Sequence, residues 1–428
     1  MRILAVLVLL TTPLFAQTLD QRVSAELPKL LDTYRALHAM PELSTQEVKT
    51  SAFVAARLRE LGYEVTERVG RYKEPGTTCY GVVAIMRNGA GPVVLVRTDM
   101  DALPVTEQTG LPYASANAGV MHACGHDVHM TTLLGTAKVL ADLKSQWRGT
   151  VMLVGQPAEE IVRGAEGMLS DGLYERFAKP DFAIALHDWA ALEVGKVGYR
   201  PGQFMAATDS VNLTIRGVGG HGAAPHATKD PVVMAAETIL ALQTISSRER
   251  SPLDPVVVTV GKIEGGTKRN IIPDEVRLLL TVRTMSPTVR QRVLESIQRI
   301  PQGIALMAGV PADRAPVYEH LDGESVDSTF NDPALTERVA AAVGRELGAA
   351  NVEIIEPAMV SEDFGRFGAE GKIPTALLAL GAGGAAAIDA GTQPGLHSSK
   401  FAPADPELVL RTGVRAAAAM VLELLGKI

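Results

Sequence analysis

Apolar residues along this chain come in two styles, short unbroken runs and stripes at helical spacing. Residues 81–86, 93–96, 151–154 and 182–186 are continuous apolar runs, the pattern of strands covered on both faces. Residues 130–143, between two of these runs, read as a helix. Two further helices are expected near the start. The second carries Ser44 and Glu47 at capping-box spacing, runs to about Leu61 and stops at Gly62. This alternation predicts an α/β fold with a mixed, largely parallel sheet flanked by helices.

The style changes near Gly195. Residues 209–216 alternate apolar and polar, as a half-exposed strand does. A helix over 231–247 follows, with Asp230 as its N-cap and Pro231 at its first position. Strands are expected at 256–263 and 275–283, a helix at 288–300 and one more strand near Pro316. That unit reads as a ferredoxin-like α+β insertion. After about Arg314 the first style returns, with a helix at 333–347, a strand at 375–380 and a terminal helix over 405–425. The expected organisation is a signal segment (1–16), a first catalytic part (17–196), an inserted domain (197–314) and a second catalytic part (315–428).

Composition narrows the function. The 428 residues suffice for two domains, and the net charge of −7 argues against a nucleic-acid partner. Arg2, the apolar stretch 3–10, Pro13 and Ala16 form a secretory signal, with cleavage expected after Ala16. The mature protein is therefore expected to be exported, periplasmic or secreted, and free of the membrane. Only Cys79 and Cys124 are present. No disulfide is expected, and Cys79, next to the polar stretch 72–78, is expected in a loop.

The chemistry concentrates just past the apolar runs. Asp99-Met100-Asp101, Glu159-Glu160 and His187-Asp188 each follow one, where open α/β sheets bind ligands. Residues 121–129 hold a thiol, three imidazoles and a carboxylate. In Cys124-Gly125-His126 the thiolate and imidazole can face one metal ion. Cys124, His126, Glu159 or Glu160, His187 and His397 are too many ligands for one zinc with an open position. They suit two divalent ions sharing a bridging group. Zinc or manganese is expected first, with cobalt or nickel also compatible. His122 and His129 compete as ligands. One glutamate of the pair can ligate while the other takes a proton from water. The segment 219–226 reads either as a flexible hairpin loop of the insertion or as a loop whose two glycines expose His221 toward a substrate oxygen.

Several motifs in order carry a resemblance. They are Arg97-Thr98-Asp99-Met100-Asp101-Ala102-Leu103-Pro104, then His122-Ala123-Cys124-Gly125-His126-Asp127, then Gln156-Pro157-Ala158-Glu159-Glu160. Gly220-His221-Gly222, Arg269-Asn270-Ile271-Ile272-Pro273, Ser361-Glu362-Asp363-Phe364 and Leu396-His397-Ser398-Ser399-Lys400 follow. The chain resembles the amidohydrolase branch of the di-metal aminoacylase/carboxypeptidase family, which includes hippurate hydrolases, N-acyl-amino-acid amidohydrolases and auxin-conjugate hydrolases. The resemblance implies a two-domain di-metal exopeptidase-like fold, with the insertion as a lid and homodimerisation domain. It implies Cys124, His126, Glu160, His187 and His397 as metal ligands, Cys124 bridging, and Glu159 as general base. Asp101 would orient a ligand histidine. His221 would reach the scissile carbonyl, in relatives from the partner subunit, and His226 and Asn270 would contact substrate. The implied reaction cleaves N-acetyl-, N-benzoyl- or similar N-acyl amino acids to a carboxylic acid and a free amino acid. A metallo-carboxypeptidase or dipeptidase acting on short peptides is the nearest rival. A non-catalytic exported metal- or solute-binding protein is a rival of another class. Asp188-Trp189-Ala190 departs from the family, which commonly has an apolar residue and a proline there. The stretch 71–78 is also unusual.

Overall fold

The computed structural model describes residues 17–369 and 372–427, so the expected signal segment lies outside the described residues. Helices α1 (Leu19–Ala39) and α2 (Val48–Glu60) open the chain. Strands β1 (Glu64–Arg71), β2 (Thr78–Asn88) and β3 (Val93–Asp99) follow. Then come α3 (His126–Asp142), β4 (Trp147–Gln156) and β5 (Phe182–Glu193). Strands β3 and β4, and β3 and β5, pair in parallel, whereas β1, β2 and β4 pair antiparallel. The sheet continues from β5 to the parallel strand Thr375–Gly383 and ends on Val197–Tyr199 and Val352–Ile354. The mixed sheet agrees with the expectation.

Strand period two divides the apolar runs between two cores. Val94, Val96, Val151, Leu153, Ile184 and Leu186 face one, beneath α1, α3 and the terminal helix Pro406–Leu424. Leu95, Met152, Val154, Ala183 and Ala185 face the other. Continuous apolar runs are therefore required: both faces of the sheet are covered.

A second, four-stranded antiparallel sheet forms the insertion. Its order is Val256–Gly265, Glu275–Thr284, Ala207–Arg216 and Val317–His320. Helices Pro231–Arg248 and Pro287–Met307 pack on it around a separate core, giving the ferredoxin-like arrangement. Asp230 does cap its helix, accepting from the Val232 amide at 2.9 Å. This sheet runs from Ala207 to His320, so 197 and 314 are not its edges. Val197–Tyr199 pairs within the main sheet, and Val317–His320 completes the small one.

Three local expectations need correction. Strand β5 continues through His187 to Glu193, because its pairing with Thr375–Gly383 persists past Trp189. His187 thus sits within a strand and not beyond its end. Cys79 is a buried β2 residue, because the β1–β2 turn spans only 72–77 and its thiol lies over Gly70. Both cysteines are free, as expected. Finally, Ser44 and Glu47 form no capping box. Ser44 Oγ donates to Asp101 at 2.6 Å, and Glu47 accepts the amides of Thr45 and Ala158, each at 2.9 Å. Glu42 caps α2 instead, accepting the Lys49 and Thr50 amides at 2.8 Å. Glu42→Ala is expected to cost about 1–2 kcal/mol in urea unfolding, the scale of a lost N-cap. A change below about 0.3 kcal/mol would contradict that role.

Candidate metal centre and hydrolytic site

Gly125 is the junction on which the site is built. Its φ of +83° lies in the left-handed region, and a Cβ there would stand 2.4 Å from Asp188 Oδ2. Both conditions demand glycine. The reversal starts α3 at His126, so Cys124 and His126 face the carboxyl ends of β3 and β4 from one loop.

The histidines are oriented by their second nitrogens. His126 Nδ1 donates to the Asp101 carbonyl at 2.8 Å and His187 Nδ1 to the Asp188 carbonyl at 2.9 Å. Each leaves an Nε2 lone pair free for a cation. His187 Nε2 lies 3.7 Å from Cys124 Sγ. His126 Nε2 lies 3.8 Å from Glu160 Oε1, and His397 Nε2 lies 3.4 Å from Glu160 Oε2. His397 holds a strained φ of +66°, fixed where its amide donates to the Ala123 carbonyl at 2.7 Å. All five expected ligands therefore converge.

Buried His126 Nε2 and Glu160 Oε1 have no hydrogen-bond partner among the described residues. Such atoms are costly unless something binds them. Ligand atoms of Cys124, His126 and Glu160 lie within 4.8 Å of one another, as do those of Asp99, His126, His129 and His187. A thiol, imidazoles and a carboxylate with orphaned donor atoms fit divalent cations.

Electrostatics point the same way. Burial, then Glu160, Glu159 and Asp99, push the Cys124 thiol well above its ordinary range. Burial, then Glu362 and Glu160, push Glu159 well up. Burial pulls His126 down, but Asp99 and the neighbouring carboxylates outweigh it and raise it to about 10. Burial holds His187 and His397 below the ordinary imidazole range, as neutral ligands require. The centre is thus a pocket of excess negative charge that cations would relieve.

His129 is excluded as a free ligand. Its Nδ1 bonds Asp99 at 2.6 Å and its Nε2 accepts the Asp188 amide at 2.7 Å. His122 is buried with both nitrogens unpartnered, and it belongs to no cluster of three or more potential ligands among the described residues. Asp101 carries more than one contact. Its carbonyl orients His126, and its carboxylate accepts the Glu159 amide at 3.1 Å and the Glu160 amide at 3.0 Å.

The centre opens into a cavity of about 350 Å³ lined by Cys124, Glu159, Glu160, His187 and His397. Glu159 Oε2 lies 3.9 Å from His126 Nε2. Arg283 also lines the cavity, and its Nη1 donates to Ser361 Oγ at 2.9 Å. Sequence pattern gave Arg283 no prominence; it ends an ordinary strand of the insertion. His221, His226 and Asn270 are exposed and do not line this cavity within one subunit. A short ribbon pairs His221 with Ile271 and holds His221 close to Asn270. The Ala223 amide donates to His221 Nδ1 at 3.1 Å, which places the proton on Nε2.

A two-domain α/β fold with a converging set of candidate metal ligands defines the class, and similarity to known proteins gives the family. Residues 95–423 match the model of Peptidase family M20/M25/M40. The chain is 38% identical to the N-acetyl-L-cysteine deacetylase of Bacillus subtilis over 339 residues, 78% of this chain and 76% of the relative. It is 38% identical to the hippurate hydrolase of Campylobacter jejuni over 334 residues, 77% of this chain and 82% of the relative. A solved Bacillus subtilis protein, described as a dinuclear metal-binding peptidase of the M20 family, superposes with a TM-score of 0.75 at 30% identity. That match covers 94% of this chain and 99% of the other. The chain belongs to peptidase family M20/M25/M40, in its amidohydrolase branch.

Proposed function

We propose that this protein hydrolyses the amide bond of N-acyl amino acids. The supporting observation is the buried Glu159, 3.9 Å from His126, in a cavity lined by Cys124, Glu160, His187 and His397, four of the five candidate ligands, and by Arg283. Cys124, His126, Glu160, His187 and His397 would hold two divalent ions. Such ions acidify a bound water and polarise a carbonyl. Glu159 takes the proton from the attacking water and returns it to the leaving amine. Asp101 positions His126 and the amides of both glutamates, and Arg283 receives the substrate carboxylate. His221, with its proton on Nε2, donates to the carbonyl oxygen from a second subunit paired through the insertion. The N-terminal segment exports the chain, so these steps run outside the cytoplasm.

The test is a hydrolysis panel of N-acyl amino acids and dipeptides, with apo-protein reloaded with zinc, manganese, cobalt or nickel. Metal-dependent release of amino acid from acylated substrates is expected. Release only from dipeptides would favour the exopeptidase, and no release would favour a binding protein. Chelation is also expected to expose one thiol to iodoacetamide. Cys124 lines the cavity and should be alkylated. Cys79 should stay unlabelled, because it is packed between β1 and β2 and does not line the cavity. Equal labelling of metal-loaded and chelated protein would argue against Cys124 as a ligand.

A further inference from the structure

Strand β5 places a second side chain on the face of the metal centre. Residues i and i+2 of a strand share a face and lie about 7 Å apart. His187 and Trp189 are such a pair, and both line the cavity. Trp189 is half-buried, and its indole stacks on the buried Phe204 with ring centroids 5.5 Å apart and planes at 22°. Met205 and Leu396 also line the cavity.

From this geometry we infer that Trp189 is the platform for the acyl half of the substrate, and that the preferred acyl group is aromatic. This rests on the amidohydrolase reading above. An N-acyl amino acid has one carboxylate, on the amine side of the scissile bond. Arg283 is the cation in the cavity lining and takes that side. Apart from Ser361, the remaining lining is apolar, and Trp189 lies one same-face position from the candidate ligand His187. A flat aryl group joined directly to the scissile carbonyl spans that interval and can stack on the indole. An acetyl group reaches only the edge of the platform.

The test compares N-benzoyl- and N-acetyl-glycine with the metal-loaded protein. Wild type is expected to favour the benzoyl compound in kcat/KM by at least about tenfold, the scale of discrimination an apolar pocket supplies. Trp189→Ala should lower that ratio about tenfold, and Trp189→Phe, which keeps an aromatic face, should largely retain it. A direct readout needs no turnover. The chain has two tryptophans, and Trp147 is buried in the core at 1% exposure. Sodium benzoate should therefore quench Trp189 fluorescence saturably. Sodium acetate should not, and Trp189→Phe should abolish the effect. A ratio near one, a ratio unmoved by Trp189→Ala, or no benzoate quenching would overturn the inference. So would a preference that tracks the amino-acid side chain and not the acyl group. Failure to cleave either compound would reject the amidohydrolase reading instead, and the quenching result would still decide the platform.

Discussion

Glu159→Gln is expected to keep the metal content of the wild type and to lose turnover by about a thousandfold or more, the upper range for a general acid–base group. The substitution is isosteric and keeps the hydrogen bond from the residue-159 backbone N–H to the Asp101 carboxylate. It removes the one property the step needs, a carboxylate able to accept a proton. That carboxylate is held well above the ordinary range by burial and by Glu362 and Glu160. Cations beside it oppose that rise, so the loaded protein can hold a base poised for water at neutral pH. Glu160→Gln is the informative contrast. Glu160 faces His126 and His397, so its loss should reduce bound metal as well as rate. Metal analysis beside kcat separates the two. A Glu159→Gln protein within tenfold of wild-type turnover would remove Glu159 from the mechanism.

Much of the architecture was legible because burial on both faces leaves a mark in one dimension. The apolar runs at 93–96 and 151–154 could only be covered strands, and they are. Asp230-Pro231 located a helix start because the cap acts within two residues. What failed was local reading of side chains with distant partners. Ser44 and Glu47 have capping-box spacing, yet Asp101 and the Ala158 amide, far along the chain, claim them. Cys79 looked like loop because six polar or small residues precede it, but the turn itself uses them up. That the five candidate ligands come together was readable from motif order, because the loop at Gly125 carries its own geometry. Trp189 stood out only as a departure from the family pattern, and Arg283 did not stand out, since nothing local distinguishes a strand residue that faces a cavity from one that faces a core. The ribbon brings His221 and Asn270 together, but neither they nor His226 line the cavity.

Arg97→Leu should be the most destabilising substitution in the catalytic domain, by about 3–5 kcal/mol, the usual cost of breaking a buried ion pair from one side. Arg97 is fully buried. Its Nη1 contacts Asp99 at 2.6 Å, its Nη2 contacts Glu362 at 2.8 Å and Asp363 at 3.5 Å, and its Nε donates to Gln156 at 2.9 Å. One guanidinium thus compensates three buried carboxylates, and leucine leaves all three without it. Lysine would not substitute, because a point charge cannot match three directions at once. The loss should depend on pH with a definite sign. Asp363 is raised to about 7 in the intact protein, by burial and then by Glu362, with Arg97 opposing. A raised folded pKa means that the folded state binds protons more tightly than the unfolded one. Its destabilising effect is absent below the ordinary aspartate range and grows as pH rises through about 7. Removing Arg97 takes away the opposing charge and carries that window higher. The gap between wild type and Arg97→Leu in urea midpoint should therefore widen from pH 5 to pH 8. A gap that stays constant, or narrows, would mean that Arg97 acts through packing and not through its charge.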